Sequence, residues 1–191
     1  MKKVLVSGAG GFVGARIMTQ LADRYELCSF PKGMLAAANE TAVQEHICRT
    51  QPDVILHTAA ISDTGYSEKH PEESYRANVL LPLWMAQAAK RVEAKLICFS
   101  SDQVYTGLNE NGPFAEEQPL CPANVYGRHK WEAEQRVLSA LPGVGEWTAQ
   151  MLMIFAMGRP DVISYKDLGI RRGMMAAYGL ESLSKKQFDA I

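Results

Sequence analysis

Three side chains in this 191-residue sequence could together move a proton at a carbonyl group: Ser101, Tyr126 and Lys130. Tyr126 and Lys130 are four residues apart in a predicted helix, so their side chains share one face. A free tyrosine has a pKa near ~10, but a nearby ammonium group favours its phenolate form. Tyr126 would then donate a proton to a carbonyl that is being reduced, while the Ser101 hydroxyl holds that carbonyl in place. A Tyr-x-x-x-Lys pair alone is a common surface pattern, so its surroundings must decide its meaning.

A glycine-rich turn near the N-terminus could hold the phosphates of a cofactor. Gly8, Gly11 and Gly14 follow a short apolar run and precede a segment with helical periodicity. Glycine permits a tight turn and a close approach of the backbone, and the N–H groups and dipole at a helix start favour an anion. This context predicts a dinucleotide pyrophosphate site in preference to a plain turn.

The choice between NAD and NADP depends on the end of the second predicted strand. A carboxylate there would bind the ribose 2′-hydroxyl of NAD. The sequence has Lys32 instead and no carboxylate. Lys32 either faces a 2′-phosphate, which favours NADP, or is a solvated surface lysine.

Predicted strands and helices alternate over the first two-thirds of the chain. Strands are predicted at 3–7, 25–30, 53–57 and 95–100, and helices at 16–24, around Val43 and Ile47, at 72–92 and from Tyr126. This order predicts an α/β fold, a Rossmann-like doubly wound parallel sheet with its ligand at the carboxyl ends of the strands. Thr41 is expected to cap the second helix. The tail predicts short helices at 148–157, at 168–178 and from Ser184, an all-α appendage.

Composition places the chain among folded globular proteins, with 47% hydrophobic and 21% charged residues. The net charge of −1 gives no general argument for nucleic-acid binding. No apolar run reaches the ~18 residues of a membrane span, and the short run at 4–6 predicts a strand instead of a signal peptide. Cys28, Cys48, Cys98 and Cys121 are far apart, so we expect reduced, mostly buried thiols in a cytoplasmic protein, and no metal site.

Five motifs occur in order and together resemble the extended short-chain dehydrogenase/reductase family, especially its dTDP-4-dehydrorhamnose reductase branch. They are Gly8-Ala9-Gly10-Gly11-Phe12-Val13-Gly14, Thr58-Ala59-Ala60, Asn78, Ser100-Ser101-Asp102-Gln103-Val104-Tyr105 and Tyr126-Gly127-Arg128-His129-Lys130. The resemblance implies that the three glycines, Ala59, Ala60 and Asn78 belong to the cofactor site. It also implies that Ser101, Tyr126 and Lys130 form the catalytic set, and that hydride passes from NADPH or NADH to a keto nucleotide-sugar.

The resemblance covers residues 1–141, which we interpret as an NAD(P)-binding domain. Members of the family continue with further strands and a substrate domain that holds the nucleotide-sugar, and nothing similar follows Pro142. The sequence therefore predicts a truncated sheet. Cofactor binding is the first expectation, and turnover depends on a substrate domain that the sequence does not show.

Residues 142–191 instead resemble a fragment of the helix-hairpin-helix DNA glycosylases, near the 3-methyladenine glycosylase branch. The run Leu141-Pro142-Gly143-Val144-Gly145-Glu146-Trp147 places Gly143 and Gly145 where backbone N–H groups could bind a DNA phosphate. Asp167 lies where that family has its catalytic aspartate, or it caps the helix that begins at Leu168. The alternative functions are DNA binding or base excision through this segment, or an inactive fusion whose tail only covers apolar surface.

Overall fold

The computed structural model of the protein describes residues 1–33, 39–105, 107, 113–115, 118–140, 148, 150 and 164–190. The strands are β1 (Lys3–Ser7), β2 (Glu26–Ser29), β3 (Val54–His57) and β4 (Lys95–Cys98). The helices are α1 (Phe12–Gln20), α2 (Glu40–Thr50), α3 (Thr64–Lys69), α4 (Pro71–Tyr75), α5 (Leu81–Arg91), α6 (Val125–Ser139), α7 (Leu168–Tyr178) and α8 (Lys185–Phe188). A π-helical turn (Arg76–Leu80) joins α4 to α5, and a 3₁₀ turn (Asp102–Tyr105) follows β4.

The four strands form one parallel sheet in the order β2-β1-β3-β4, which confirms the predicted α/β class. The chain leaves β1 toward β2 and later returns to the other side of β1 as β3. Ligands of doubly wound sheets bind where the strand order reverses in this way, at the carboxyl ends of the strands. In this sheet, Ser7 at the end of β1 lies opposite His57 at the end of β3.

One face of the sheet packs against α2 and α5. Leu5 and Ile55 of the sheet are buried against Val43 and Ile47 of α2 and against Met85 of α5. The four-residue spacing of the α2 side chains places both on the same face of that helix. Each such side chain stabilises the fold by roughly 1.5–3 kcal/mol on full burial, so this layer fixes the sheet that carries the loops above it.

Two local predictions about helices were wrong. Asn39, not Thr41, caps α2, because the extended backbone of Asn39 lets its side chain accept the Ala42 N–H at 2.9 Å. The helix predicted at 72–92 is interrupted by the π-helical turn. Pro82 has no N–H to donate to the carbonyl four residues before it, so the regular α-helical ladder cannot pass through this point.

The prediction of mostly buried cysteines was also wrong. All four thiols are free, but Cys98 and Cys121 are exposed, and Cys28 and Cys48 are half-buried. Cys98 ends β4, and β4 has a strand neighbour on only one side within the described part of the chain. The residues of an apolar strand are buried only where other elements cover the strand.

The described part of the tail forms a small cluster of its own. The Tyr165 hydroxyl donates to the Leu183 carbonyl at 3.0 Å, and its ring meets Phe188 edge-on and lies beneath the guanidinium of Arg171. The predicted helix at 168–178 is α7, and Ser184 caps α8. Most of the helix predicted at 148–157 lies outside the described residues. Within the described ranges, no helix is long and apolar enough to cross a bilayer.

We expect Gly14→Ala to destabilise the protein, because a Cβ on Gly14 would lie 2.1 Å from the Gly8 carbonyl oxygen. Such overpacking lowers the free energy of unfolding by roughly 1–3 kcal/mol. Gly173 is the matched control, since it also lies in a helix but has no atom near the position of a Cβ. Gly173→Ala should raise the free energy of unfolding by up to ~1 kcal/mol. Denaturant unfolding that shows the same effect for both variants would contradict the packing.

We also expect one buried histidine to make the fold acid-sensitive. Burial, and then the positive charge of Lys130, lowers the pKa of His57 to about 3. The unfolded chain takes up a proton at this ring below pH ~6.5, and the folded protein does not, so stability falls as pH falls through that window. From pH ~7 to ~5, unmodified protein should lose about 2 kcal/mol more than His57→Asn in denaturant unfolding. Equal losses would show that the ring is accessible to protons.

Candidate active site

The glycine turn after β1 is shaped by close backbone contacts. Gly8 has a left-handed φ of +71°, and a Cβ there would lie 2.8 Å from both the Ala59 nitrogen and the Thr58 hydroxyl oxygen. The Gly11 N–H donates to the Gly8 carbonyl at 2.9 Å and closes the turn. No side chain caps the start of α1, and the Phe12 side chain is 93% exposed. The first N–H groups of α1 are therefore available to an anion.

The loop after β3 lies directly against this turn. The Thr58 hydroxyl donates to the Ser7 carbonyl at 2.7 Å, and the Ala59 N–H points at the Ser7 hydroxyl at 3.4 Å. These bonds hold Ala59 and Ala60 at the surface beside Gly8. The two loops thus form opposite walls of one opening at the carboxyl edge of the sheet.

That opening, the main cleft, has a volume of about 330 Å³. Its lining combines the glycine turn, the β3 loop, the segment after β4 and helix α6: Gly8, Gly11, Phe12, Val13, Gly14, His57, Thr58, Ala59, Ala60, Ser62, Phe99, Ser100, Tyr126 and Lys130. The structure therefore brings the predicted phosphate-binding turn and the Tyr-x-x-x-Lys pair into one cavity, although more than a hundred residues separate them in the sequence.

Helix α6 is positioned by its N-terminus. Asn124 caps the helix by accepting the Gly127 N–H at 2.7 Å. A Cβ on Gly127 would lie 2.3 Å from the Gln103 carbonyl oxygen, so only glycine lets α6 approach the 3₁₀ turn this closely. This contact places Tyr126 close enough to Ser101 for the serine to lower the Tyr126 pKa. The Ser101 hydroxyl itself donates to the Asp102 carboxylate at 3.2 Å and accepts the Gln103 N–H at 3.2 Å.

Burial and nearby polar groups set the proton affinities of Tyr126 and Lys130 on α6. Burial raises the pKa of Tyr126, the Ser101 hydroxyl opposes that rise, and the Asp102 charge adds to it. Burial also lowers the pKa of Lys130, whose amine donates to the Phe99 carbonyl at 2.5 Å. The lowering of the Tyr126 pKa by Lys130 stays a prediction, since burial, Ser101 and Asp102 are the influences that the structure shows. A raised pKa keeps Tyr126 protonated at neutral pH, as a proton donor must be.

Asn78 lies behind the main cleft. Its side chain is 1% exposed and binds the backbone of Ile61 twice, accepting the N–H at 3.0 Å and donating to the carbonyl at 3.0 Å. It also donates to the Ser74 hydroxyl at 3.1 Å. Asn78 therefore ties the β3 loop to the π-helical turn, and its predicted role in the cofactor site stays a prediction.

A second cavity of about 330 Å³, the Lys32 cavity, adjoins the β3 loop. It is lined by Lys32, Ala59, Ala60, Ile61, Glu73, Arg76, Ala77 and Leu81. Arg76 was not predicted as a site residue, since an arginine within an amphipathic helix has no distinguishing sequence pattern. Ala59 and Ala60 line both cavities, so one extended molecule could occupy the two together.

The structure describes only one of the three residues predicted for DNA binding or base excision, Asp167. Gly143 and Gly145 lie outside the described residues, so the hairpin remains a sequence prediction. Asp167 caps α7, its carboxylate accepting the Ile170 N–H at 2.9 Å, which is the capping role that the sequence also allowed. Within the described ranges, no cluster of His, Cys, Asp and Glu could hold a metal ion.

Comparisons with known proteins agree with the resemblance to the dTDP-4-dehydrorhamnose reductases. The spore coat polysaccharide biosynthesis protein SpsK of Bacillus subtilis is 31% identical over 138 residues, covering 72% of this chain and 48% of SpsK. The dTDP-4-dehydrorhamnose reductase of Streptomyces griseus is 30% identical over 162 residues, covering 84% of this chain and 52% of that enzyme. These matches give no support to the DNA glycosylase resemblance.

Solved structures give the same result. The crystal structure of dTDP-4-dehydrorhamnose reductase from Bacillus anthracis in complex with NADP superposes with a TM-score of 0.65 at 30% identity, covering 71% of this chain and 49% of that one. The chain thus spans about half the length of the relatives it matches. The family model described as the RmlD substrate binding domain matches residues 1–145. Because this match covers well over half of the sequence, the protein belongs to the RmlD family, together with the dTDP-4-dehydrorhamnose reductases.

Proposed function

We propose that the protein binds NADPH in the main cleft and is the cofactor-binding, catalytic half of a keto nucleotide-sugar reductase. One observation carries the proposal: the glycine turn and the Tyr126–Lys130 pair line the same cavity. The glycine turn would hold the pyrophosphate at the start of α1, and the reacting end of the cofactor would then extend toward Tyr126. The solved relative in complex with NADP supports this assignment.

The proton chemistry would belong to residues of this chain. NADPH, when bound, supplies a hydride to the carbonyl carbon of the sugar. Tyr126 would donate its phenolic proton to the carbonyl oxygen, leaving a phenolate that solvent reprotonates. The Ser101 hydroxyl, which lies close to Tyr126, would donate its proton to the carbonyl oxygen and hold the carbonyl in place. The Lys130 amine would add positive charge beside the phenolate.

Charge in the Lys32 cavity favours NADPH over NADH. Lys32 and Arg76 contribute two positive charges to the lining, and Glu73 contributes one negative charge. The Glu73 carboxylate already accepts a hydrogen bond from the Tyr66 hydroxyl at 2.9 Å. The net positive charge suits the 2′-phosphate that distinguishes NADPH from NADH.

The relatives support the choice of substrate class. Two of the matched proteins are dTDP-4-dehydrorhamnose reductases, so a dTDP-linked 4-keto sugar is the proposed substrate. The matched relatives are about twice as long as the region of similarity. We therefore propose that residues outside the region of similarity bind the nucleotide of the substrate. The four free cysteines agree with a reducing, cytoplasmic location.

We expect fluorescence titration to show NADPH binding, with weaker binding of NADH. Lys32→Ala and Arg76→Ala should each weaken NADPH binding about three- to tenfold, with little effect on NADH, because each removes one charged partner of the 2′-phosphate. Lys2→Ala is the control, since Lys2 precedes β1 and lies at the opposite edge of the sheet. Absence of binding by either nucleotide at millimolar concentration would overturn the proposed function.

We expect Tyr126→Phe to slow the reduction of dTDP-4-dehydrorhamnose by roughly 10²-fold or more, because the phenylalanine has no proton to donate. NADPH affinity should stay within about twofold of the unmodified protein, since the lost hydroxyl is not a phosphate ligand. Tyr75→Phe is the matched control, because the Tyr75 hydroxyl donates to Glu132 outside the main cleft. The rate is followed as loss of NADPH absorbance. A Tyr126→Phe variant that is as active as the Tyr75→Phe control would exclude Tyr126 as the acid.

A further inference from the structure

A buried Ser–His pair lies at the carboxyl ends of β1 and β3, and its histidine lines the main cleft. The Ser7 hydroxyl oxygen lies 2.7 Å from Nδ1 of His57, and the two residues face each other across β1 and β3. Ser7 is fully buried and His57 is 3% exposed. Neither residue belongs to the catalytic set, and His57 was not predicted as a site residue because it ends an apolar strand.

The hydrogen bonds of Ser7 indicate which nitrogen of His57 carries the proton. The Ser7 hydroxyl oxygen faces the Ala59 N–H at 3.4 Å, so it serves as an acceptor there. Its single proton is then free to be donated to Nδ1. In the opposite arrangement Nδ1–H would donate to Ser7, and the described residues offer the serine proton no other acceptor. The bonding therefore favours a neutral ring with its proton on Nε2.

The position of His57 determines which groups its Nε2 proton can contact. Nδ1 is committed to Ser7, so the edge of the ring that carries Nε2 is the part that can face a cavity. His57 lines the main cleft together with the glycine turn and the Tyr126–Lys130 pair. Burial, and then the positive charge of Lys130, lowers the pKa of His57, which keeps the ring neutral. A neutral N–H donor therefore belongs to the same cleft as the proposed pyrophosphate site and the proposed reaction site.

We propose that His57 is a cofactor-positioning residue, whose Nε2–H donates a hydrogen bond to an oxygen of NADPH between its pyrophosphate and its nicotinamide ring. Ser7 aims the ring and fixes its tautomer. This assignment rests on the proposed function, because it requires NADPH in the main cleft. The ribose hydroxyls and the neighbouring phosphate oxygens of that part of the cofactor all accept hydrogen bonds, and a neutral donor binds them without adding charge beside Lys130.

The tautomer can be tested first in the cofactor-free, full-length protein. Nitrogen-15 NMR of the histidine rings should show His57 with a protonated Nε2 and an unprotonated Nδ1. Addition of NADPH should shift the Nε2 resonance. A ring protonated on Nδ1, or an Nε2 resonance that saturating NADPH leaves unchanged, would overturn the proposal.

Variants of His57 then distinguish a role in positioning the cofactor from a role in stabilising the fold. His57→Asn places an amide where Nδ1 was, so it keeps a partner for Ser7 but has no donor on the cleft side. It should weaken NADPH binding about three- to tenfold, the effect of one lost hydrogen bond. His57→Gln carries an amide N–H near the position of Nε2 and should recover most of that affinity. His46→Asn is the control, since His46 lies on α2, outside the main cleft.

The outcomes distinguish this inference from the function on which it rests. If the unmodified protein binds no NADPH, the proposed function fails and this inference fails with it. If the unmodified protein and His57→Asn bind NADPH equally well, only the role of His57 is overturned. If His57→Asn unfolds, the NMR measurement and the His57→Gln variant still decide the question, because a glutamine variant that binds tenfold more weakly would contradict the donor role.

Discussion

The hydrogen bond from the Lys130 amine to the Phe99 carbonyl joins α6 to the sheet. Lys130 is only 7% exposed, and burial of an ammonium group is costly unless strong acceptors replace its water. The carbonyl at the end of β4 is one such acceptor, at 2.5 Å. Because the amine must reach this carbonyl, the register of α6 against β4 is fixed, and with it the position of Tyr126. Burial, and then the same charge, also lowers the pKa of His57, so the buried cation acts on a second residue of the main cleft.

Two glycines make this arrangement possible by bringing helices close to backbone carbonyls. Gly14 of α1 lies against the Gly8 carbonyl, and Gly127 of α6 lies against the Gln103 carbonyl. In both places a Cβ would overlap the oxygen, so any other residue would move the helix outward. The cleft between these helices therefore depends on backbone contacts at both sides, and its side chains are positioned only after those contacts form.

The sequence was sufficient to predict the features that depend on local residue patterns. Glycine spacing and alternating apolar runs identified the parallel sheet and the turn after β1, since these follow from backbone conformation and burial of each strand. Contacts between residues that are far apart in the sequence have no such local pattern, so they could not be predicted. Arg76 meets the cavity of Lys32 only because the π-helical turn lies beside the β3 loop, and Ser7 meets His57 only through the register of β1 and β3. The exposure of Cys98 likewise depends on what neighbours β4, which the strand itself does not encode.

The proposed function has a consequence for the energetics of catalysis. A reductase accelerates hydride transfer through interactions that are stronger in the transition state, and much of that energy comes from parts of the substrate remote from the carbonyl. The described residues around the main cleft include Tyr126, which is the proposed acid, and the proposed cofactor site. Under the proposed function, residues outside the region of similarity would bind the nucleotide and supply the remote binding energy. Cofactor affinity and turnover would then be separable, because the first would depend on the glycine turn and the second also on that distant contact.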